Sequence, residues 1–411
     1  MKKLFNIFVI IAVFSFVFTT AGCNISTSST PKEPEKEQAV KEAPAEETPE
    51  VPEETPEEPV DPYEIPLTLE AIEAGEIVIT NPSKFLELQY TLNGGAKTPV
   101  TIIAATEETE ETATIQFRAE DKICLFAKGS NNDDSEYMNI KCSADCYIYG
   151  NVMSLLNFED FRDKKEITKK RCFNSLFASN KHIKNHPTKE ILLPATTLSL
   201  ACYIGMFSGT LITKAPSLPA RSLTNNCYRW MFSNCEKLSV PPELPAENLK
   251  TDCYYGMFHG CKNLKIAPDL PAKNLGAYCY AYMFAGCTAL ETAPDLLATT
   301  LTAYCYSFMF SDCKNLTKAP ELPAPILEES CYLSMFYNCT KLNYIKCLAK
   351  EISCDPDSRP LEWIISNWCS GWLQDVSSTG TFVKAKEMDA WTKNSSSGIP
   401  SGWTIQDAQE D

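Results

Sequence analysis

Between Tyr63 and about Leu156, apolar and polar residues alternate in short runs: "EIVITN", "FLELQYTL", "VTIIAA", "ATIQFRA", "KICLFAK", "EYMNIKC" and "CYIYGNV". Gly, Asn, Asp and Glu turns separate them, and period-two runs at this spacing predict a small antiparallel β-rich domain over residues 63–165. Beyond it the pattern repeats itself. The segments "CYRWMFSNCEKLSVPPELPAENLKTD", "CYYGMFHGCKNLKIAPDLPAKNLGAY", "CYAYMFAGCTALETAPDLLATTLTAY" and "CYSFMFSDCKNLTKAPELPAPILEES" align without gaps. With the units on either side, the phenylalanine of the repeat falls at Phe207, Phe232, Phe258, Phe284, Phe310 and Phe336, a spacing of 26 after a first interval of 25. A more degenerate unit, "RCFNSLF", precedes them, as expected beside a cap.

Within a unit, Cys253, Met257 and Cys261 recur every four residues, with Tyr254 and Phe258 as a second row. At 3.6 residues per turn these make one apolar stripe, so the spacing predicts a short helix or helical turn. Leu264, Ile266, Leu270 and Leu275 then supply the other wall, with a short strand starting near Leu264. Pro268 and Pro271 remove ladder donors, so the sheet is predicted to be narrow, about three residues per rung. One unit cannot cover its own Leu, Phe, Tyr and Met side chains, and stacking with neighbours is required. The expected class is therefore α/β, a solenoid of 26-residue units over 166–352 with a short C-terminal cap at 353–411, where "TGTFVKAKEMDAW" and "SGIPSGWTI" have strand-like and aromatic character.

Charge changes the picture mainly at the N-terminus. Of the formal net charge of −16, residues 31–62 contribute eleven Glu, one Asp and three Lys, or −9, so the rest is only mildly acidic. No Lys/Arg stripe with interleaved aromatics exists, which argues against nucleic acid. The same stretch holds eight Pro and nothing apolar larger than Val, and residues 24–62 read as an extended, solvated tether. Ahead of it, Lys2 and Lys3 precede an apolar run from Leu4 to Phe18 and then Thr19, Thr20, Ala21, Gly22 and Cys23. Residues 1–23 form a secretory signal too short to span a bilayer. Its end resembles a lipobox, with Thr20 where Leu is usual, which implies acylation of Cys23 and a lipid anchor at the bacterial cell surface or outer membrane. Ordinary signal cleavage and secretion is the alternative.

The unit "CYxxMFxxCxxLxxAPxLPAxxL", together with "YGNVMSLL" before the array and "GTFVK…GIPSGWTI" at its end, resembles the BspA-like leucine-rich-repeat surface proteins of anaerobic oral and gut bacteria. Thr210 replaces the second cysteine in the first full unit, and Leu297 replaces the second proline in the fourth. The resemblance covers most of the chain from Tyr63 onward. It implies a leucine-rich-repeat fold and an adhesin that binds host-matrix or partner-cell proteins; a structural or antigenic surface protein without a dedicated ligand is the alternative. It brings no catalytic motif, and the sequence itself shows no serine elbow, phosphate loop or helical metalloprotease motif. No catalytic residue and no cofactor is expected.

Nineteen cysteines dominate the candidate chemistry. Cys202, Cys227, Cys253, Cys279, Cys305 and Cys331 share one repeat position, and Cys235, Cys261, Cys287, Cys313 and Cys339 another. Equivalent residues on adjacent rungs lie within bridging range, so disulfides and a buried, reduced ladder both remain open, the ladder being favoured. The three histidines, His182, His186 and His259, do not compose a metal site: Pro187 biases His186 away from helix, and "CSADC" lacks a second pair. The loop "GSNNDDSE" lacks EF-hand spacing and reads as a solvated turn. Two ladders are candidate partner-binding groups. Glu243, Asp269, Asp295 and Glu321 would align as a carboxylate stripe attracting a basic partner or calcium, or form an ordinary wet edge. Trp230, Tyr282 and Phe308, which share one repeat position with Gly205, Gly256 and Ser334, would be exposed anchors or packing between rungs. Nothing in the sequence speaks to oligomeric state.

Overall fold

The computed structural model describes residues 60–131, 137–352, 368–389, 391, 393–394 and 398–409, all within the compact unit Glu58–Asp411. The signal, Cys23, the tether as far as Pro59, most of the "GSNNDDSE" loop and Cys354 lie outside the described residues.

The alternating segment forms strands β1 (Thr68–Ala71), β2 (Gly75–Thr80), β3 (Gln89–Leu92), β4 (Thr98–Pro99), β5 (Ile102–Ile103), β6 (Thr112–Phe117), β7 (Lys122–Phe126), β8 (Asn139–Cys142) and β9 (Cys146–Asn151). Two antiparallel sheets result, ordered β9-β1-β7-β3-β4 and β5-β6-β2-β8. In β6, Ala113, Ile115 and Phe117 are buried while Thr114 and Gln116 are exposed, the period-two pattern that assigned the strand. Residues of both sheets, including Leu69, Ile79, Ile115 and Ile148, join a single apolar cluster that continues through the repeats.

At β9 the sheet changes hand. Its partner on one edge is antiparallel β1; on the other, β10 (Ile183–Asn185) and β11 (Ile191–Leu192) run parallel to it, with Ile183 opposite Cys146 and Ile191 opposite Gly150. The first coil of the repeat region is thereby hydrogen-bonded onto a preformed edge. This covers backbone groups that an uncapped stack would leave unpaired.

The repeats themselves correct the α/β expectation, because residues 166–352 contain no α-helix. The Cys-Tyr-x-x-Met-Phe segment is a chain of overlapping turns. Tyr255, Met257, His259 and Cys261 each donate their N–H to the carbonyl three residues earlier. The residues between them donate instead to the next unit: Asp252 to Ala277, Tyr254 to Cys279, Gly256 to Ala281, Phe258 to Met283 and Gly260 to Ala285, at 2.7–3.1 Å. Every fourth residue takes a left-handed backbone, with φ of 56° at Asp252, 58° at Gly256 and 70° at Gly260. A helix closes its backbone bonds upon itself, whereas this ribbon points half its N–H groups at a neighbour and so can grow only by stacking. A four-residue turn period buries the same i, i+4 stripe as a helix, which is why the apolar pattern could not separate the two.

Stacked units place equivalent rings above one another. Phe177, Phe207, Phe232, Phe258, Phe284, Phe310 and Phe336 form one column with centroids 5.6–5.8 Å apart. Phe173 and Tyr203, Tyr228, Tyr254, Tyr280, Tyr306 and Tyr332 form a second. All are almost fully buried. At about 0.5–1.5 kcal/mol per ring pair beyond area burial, the columns add materially to the hydrophobic term.

The rest of each unit is sparser in hydrogen bonds than the predicted three-residue strand. Single parallel bridges join Lys214 to Val240 and Ile266 to Thr292, and a second series joins Thr197, Ser222, Asn248 and Asn274. Proline denies the ladder its donors here. Pairing widens toward the C-terminus, in β12 (Lys318–Leu322), β13 (Ile326–Leu327), β14 (Tyr344–Cys347), β15 (Glu351–Ile352), β16 (Gly380–Lys384) and β17 (Trp403–Asp407), where β12-β14-β16-β17 is a parallel sheet. The terminal segment also extends the turn ladder, Phe336 donating to Trp372 and Asn338 to Gln374. The Trp372 ring stacks on Tyr332 at 6.0 Å and Trp391 on Trp372 at 4.9 Å, so indoles end the tyrosine column.

Phe258 is fully buried between Phe232 and Phe284. Phe258→Ala is expected to cost about 3–5 kcal/mol in denaturant-monitored unfolding. A loss below about 1 kcal/mol would mean that the column does not carry the core.

Candidate interaction surface

The outward side of the turn ladder carries a cluster of half-buried rings around Trp230. Trp230 and Gly256 are equivalent positions of successive units, and a Cβ on Gly256 would lie 2.2 Å from the indole. The indole therefore lies over the next rung because that rung has no side chain there, and it reaches Tyr282 two units on, at 6.4 Å. Tyr255 and His259 pack edge-on against it at 5.1 and 5.3 Å, and Tyr282 stacks on Phe308 at 4.6 Å. Beside this group the exposed Tyr278 stacks on Tyr304, also at 4.6 Å.

Charge is held at the edge of the cluster. The Arg229 guanidinium sits 4.2 Å from the Tyr255 ring centre and 3.2 Å from Asp252. Burial raises the Asp252 carboxyl above its ordinary range, and Arg229 opposes that shift. Burial likewise depresses the His259 imidazole, with Asp312 pulling the other way, so His259 is neutral at physiological pH. Its Nδ1 is buried without a hydrogen-bond partner. A neutral, ring-rich centre with an arginine rim suits apolar and cation–π contacts better than acid–base chemistry.

Of the residues singled out in the sequence, Trp230, Tyr282 and Phe308 are brought together here, while Arg229, Tyr255, His259, Tyr278 and Tyr304 join them unforeseen. Tyr255 and His259 sit at other positions of the repeat than Trp230, and only the stacking of Trp230 over Gly256 brings them against the indole. Glu243, Asp269, Asp295 and Glu321 are exposed but ride on the proline-containing part of the coil, not on the turn ladder. Glu321 pairs with Lys346 at 3.1 Å, and a cleft of about 430 Å³ beside it includes Asp295, Lys318 and Tyr344. The carboxylate column is thus interrupted by lysines toward its C-terminal end.

The histidines of "HIKNH" do not converge. His182 bonds Asp145 at 3.1 Å, whereas His186 Nδ1 accepts the backbone N–H groups of Thr188 and Lys189 at 3.1 and 3.0 Å. The intervening residues are strand β10, so the four-residue offset is not helical. Among the described residues, no three His, Cys, Asp or Glu side chains are grouped to hold a metal ion.

The seventeen described cysteines carry free thiols, and the array columns are buried. In the second column each sulfur donates to a phenylalanine carbonyl of the preceding unit: Cys235 to Phe207, Cys261 to Phe232, Cys287 to Phe258, Cys313 to Phe284 and Cys339 to Phe310, at 3.0–3.2 Å. Cysteine there is a small hydrophobe with a donor that ties two rungs together. At the first full unit Thr210 takes the place, its hydroxyl 3.4 Å from the Cys235 sulfur.

Compared with known proteins, the chain matches no family model, no curated protein and no solved structure.

Burial pushes the thiols of Cys287 and Cys305 up to about 12. At pH 8 only about one molecule in ten thousand then carries either thiolate. An aromatic disulfide reagent at pH 8 is expected to leave the array cysteines unmodified in the native protein and to titrate them once denatured. Rapid native labelling of Cys287 or Cys305, identified by peptide mapping, would contradict the buried-thiol ladder.

Proposed function

We propose that this chain is a lipid-anchored bacterial surface protein of the BspA-like leucine-rich-repeat type, and that it binds a protein partner through the Trp230 cluster. The observation that carries the binding reading is this group of rings, half-exposed on a backbone that stacking has already immobilised. Tryptophan, tyrosine and arginine supply most hot-spot energy at protein interfaces, and a rigid platform spares the entropy of ordering them on contact. The 26-residue period and the shared hydrophobic column support the leucine-rich-repeat assignment, with turns in place of helices on one side. The lipobox-like end of the N-terminal apolar run supports acylation at Cys23 and attachment at the cell surface. Among the described residues no helix is long and apolar enough to cross a membrane. The exposed carboxylates Glu243, Asp269 and Asp295 serve as a secondary, salt-sensitive contact for a basic region of the same partner.

One observation favours a structural or antigenic role instead: Tyr282 and Phe308 stack on each other, so part of the cluster already covers the ladder. Binding of the protein to immobilised host-matrix proteins and to partner bacteria separates the two. With Trp230→Ala plus Tyr282→Ala, binding is expected to fall about a thousandfold, as two hot-spot truncations of about 2 kcal/mol each would give if additive, with the thermal midpoint lowered by only a few degrees. Unchanged binding by a folded double variant would sink the assignment of this surface.

A further inference from the structure

We infer that a second, independent site lies where the β domain meets the first coil, and that it binds an acidic sugar. A cavity of about 340 Å³ opens there, within the size range of small-molecule pockets. Its floor is apolar: Met153 is fully buried, Leu156 half-buried, and Leu86 43% exposed. Three ammonium groups line it, Lys128, Lys164 and Lys169, against one carboxylate among the described residues, that of Glu166.

The lysines are not equivalent. Lys128 is held by Glu87 at 2.7 Å. Lys164 and Lys169 make no side-chain hydrogen bond or ion pair among the described residues. Two cations with no ion-pair partner among the described residues, against one carboxylate, leave the lining net positive on a chain of net charge −16, so an anion is favoured locally although the molecule as a whole repels it. The remaining lining groups decide which anion. Asn131, which donates one N–H to the Ser83 carbonyl, Asn157, whose Oδ1 accepts the Glu159 N–H, and Thr168 keep further donors and acceptors suited to hydroxyl groups. Glu166 disfavours a compact dianion such as phosphate but accepts hydrogen bonds from hydroxyls. A pyranose bearing a carboxylate meets all of these at once: its C–H face lies on Leu86 and Leu156, its acid group meets Lys164 and Lys169, and its hydroxyls meet Glu166 and the amides.

The test uses the full-length protein and calorimetric titration with three probes: a uronic-acid disaccharide, its carboxyl-reduced counterpart and inorganic phosphate. The uronate is expected to bind, the reduced sugar to bind at least about tenfold more weakly, and phosphate more weakly still, since each lost charged hydrogen bond is worth a factor of about ten or more. Lys164→Gln plus Lys169→Gln should weaken the uronate at least about tenfold, while Lys250→Gln, an exposed lysine on the array, should leave it unchanged. Both pocket lysines are exposed, so an unaltered melting curve verifies that the double variant is folded. Equal affinity for the reduced sugar, phosphate binding as tight as the uronate, or an unaffected double variant would each overturn the proposal. Loss of protein-partner binding in the Trp230 and Tyr282 variants bears on the other surface and leaves this outcome untouched.

Discussion

The structure depends on an alternation in the backbone. Along each turn segment one N–H bonds within the unit and the next bonds to the following unit, and this is possible because every fourth residue is left-handed. A buried peptide group without a partner costs about as much as the hydrogen bond it loses, so a coil of this kind has no stable isolated form. The consequences are all of one sort. The repeat length must stay near 26 residues, equivalent side chains must superpose, and each end must be met by something that continues or covers the ladder.

Superposition explains the composition better than any single contact does. Rings stack in two columns because the rungs bring them into register, and the thiols of the second cysteine column are placed to donate to a carbonyl in the unit before. Cysteine is small enough for the crowded stack, apolar enough for the core and still a donor, which neither alanine nor valine is. Serine would donate more strongly but costs more to bury. The described thiols thus serve packing rather than bridging.

The two candidate sites arise from breaks in this regularity. The Trp230 cluster exists because Gly256 interrupts a column of side chains and lets one indole lie across the gap. The lysine-lined cavity lies between Leu86 and residues 128–131 of the antiparallel domain and residues 164–169, which lead into the first coil. Perfect repetition makes a rigid body with a uniform exterior; recognition needs places where successive units differ. Both sites satisfy that requirement, one within the array and one at its boundary.

Much of this was legible before any coordinates. The alternation of "ATIQFRA" and "KICLFAK" assigned strands, and the 26-residue interval between phenylalanines assigned stacking, because periodicity in burial is written directly into residue type. The left-handed positions carry a cue in residue type too: Gly209, Asn234, Gly260, Gly286, Asp312 and Asn338 all stand at the same place in the repeat, and glycine, asparagine and aspartate are the residues that tolerate φ above zero. Without that cue the stripe of Cys253, Met257 and Cys261 reads as a helix, since a four-residue turn period and a 3.6-residue helix bury the same side chains. What the tertiary structure alone decided is which residues of different units meet. Tyr255, His259 and Tyr282 surround Trp230, and Leu86 comes to line the same cavity as Lys164, through juxtapositions across rungs and across a domain joint. A one-dimensional pattern records which side chains turn inward or outward, but not what lies across from them.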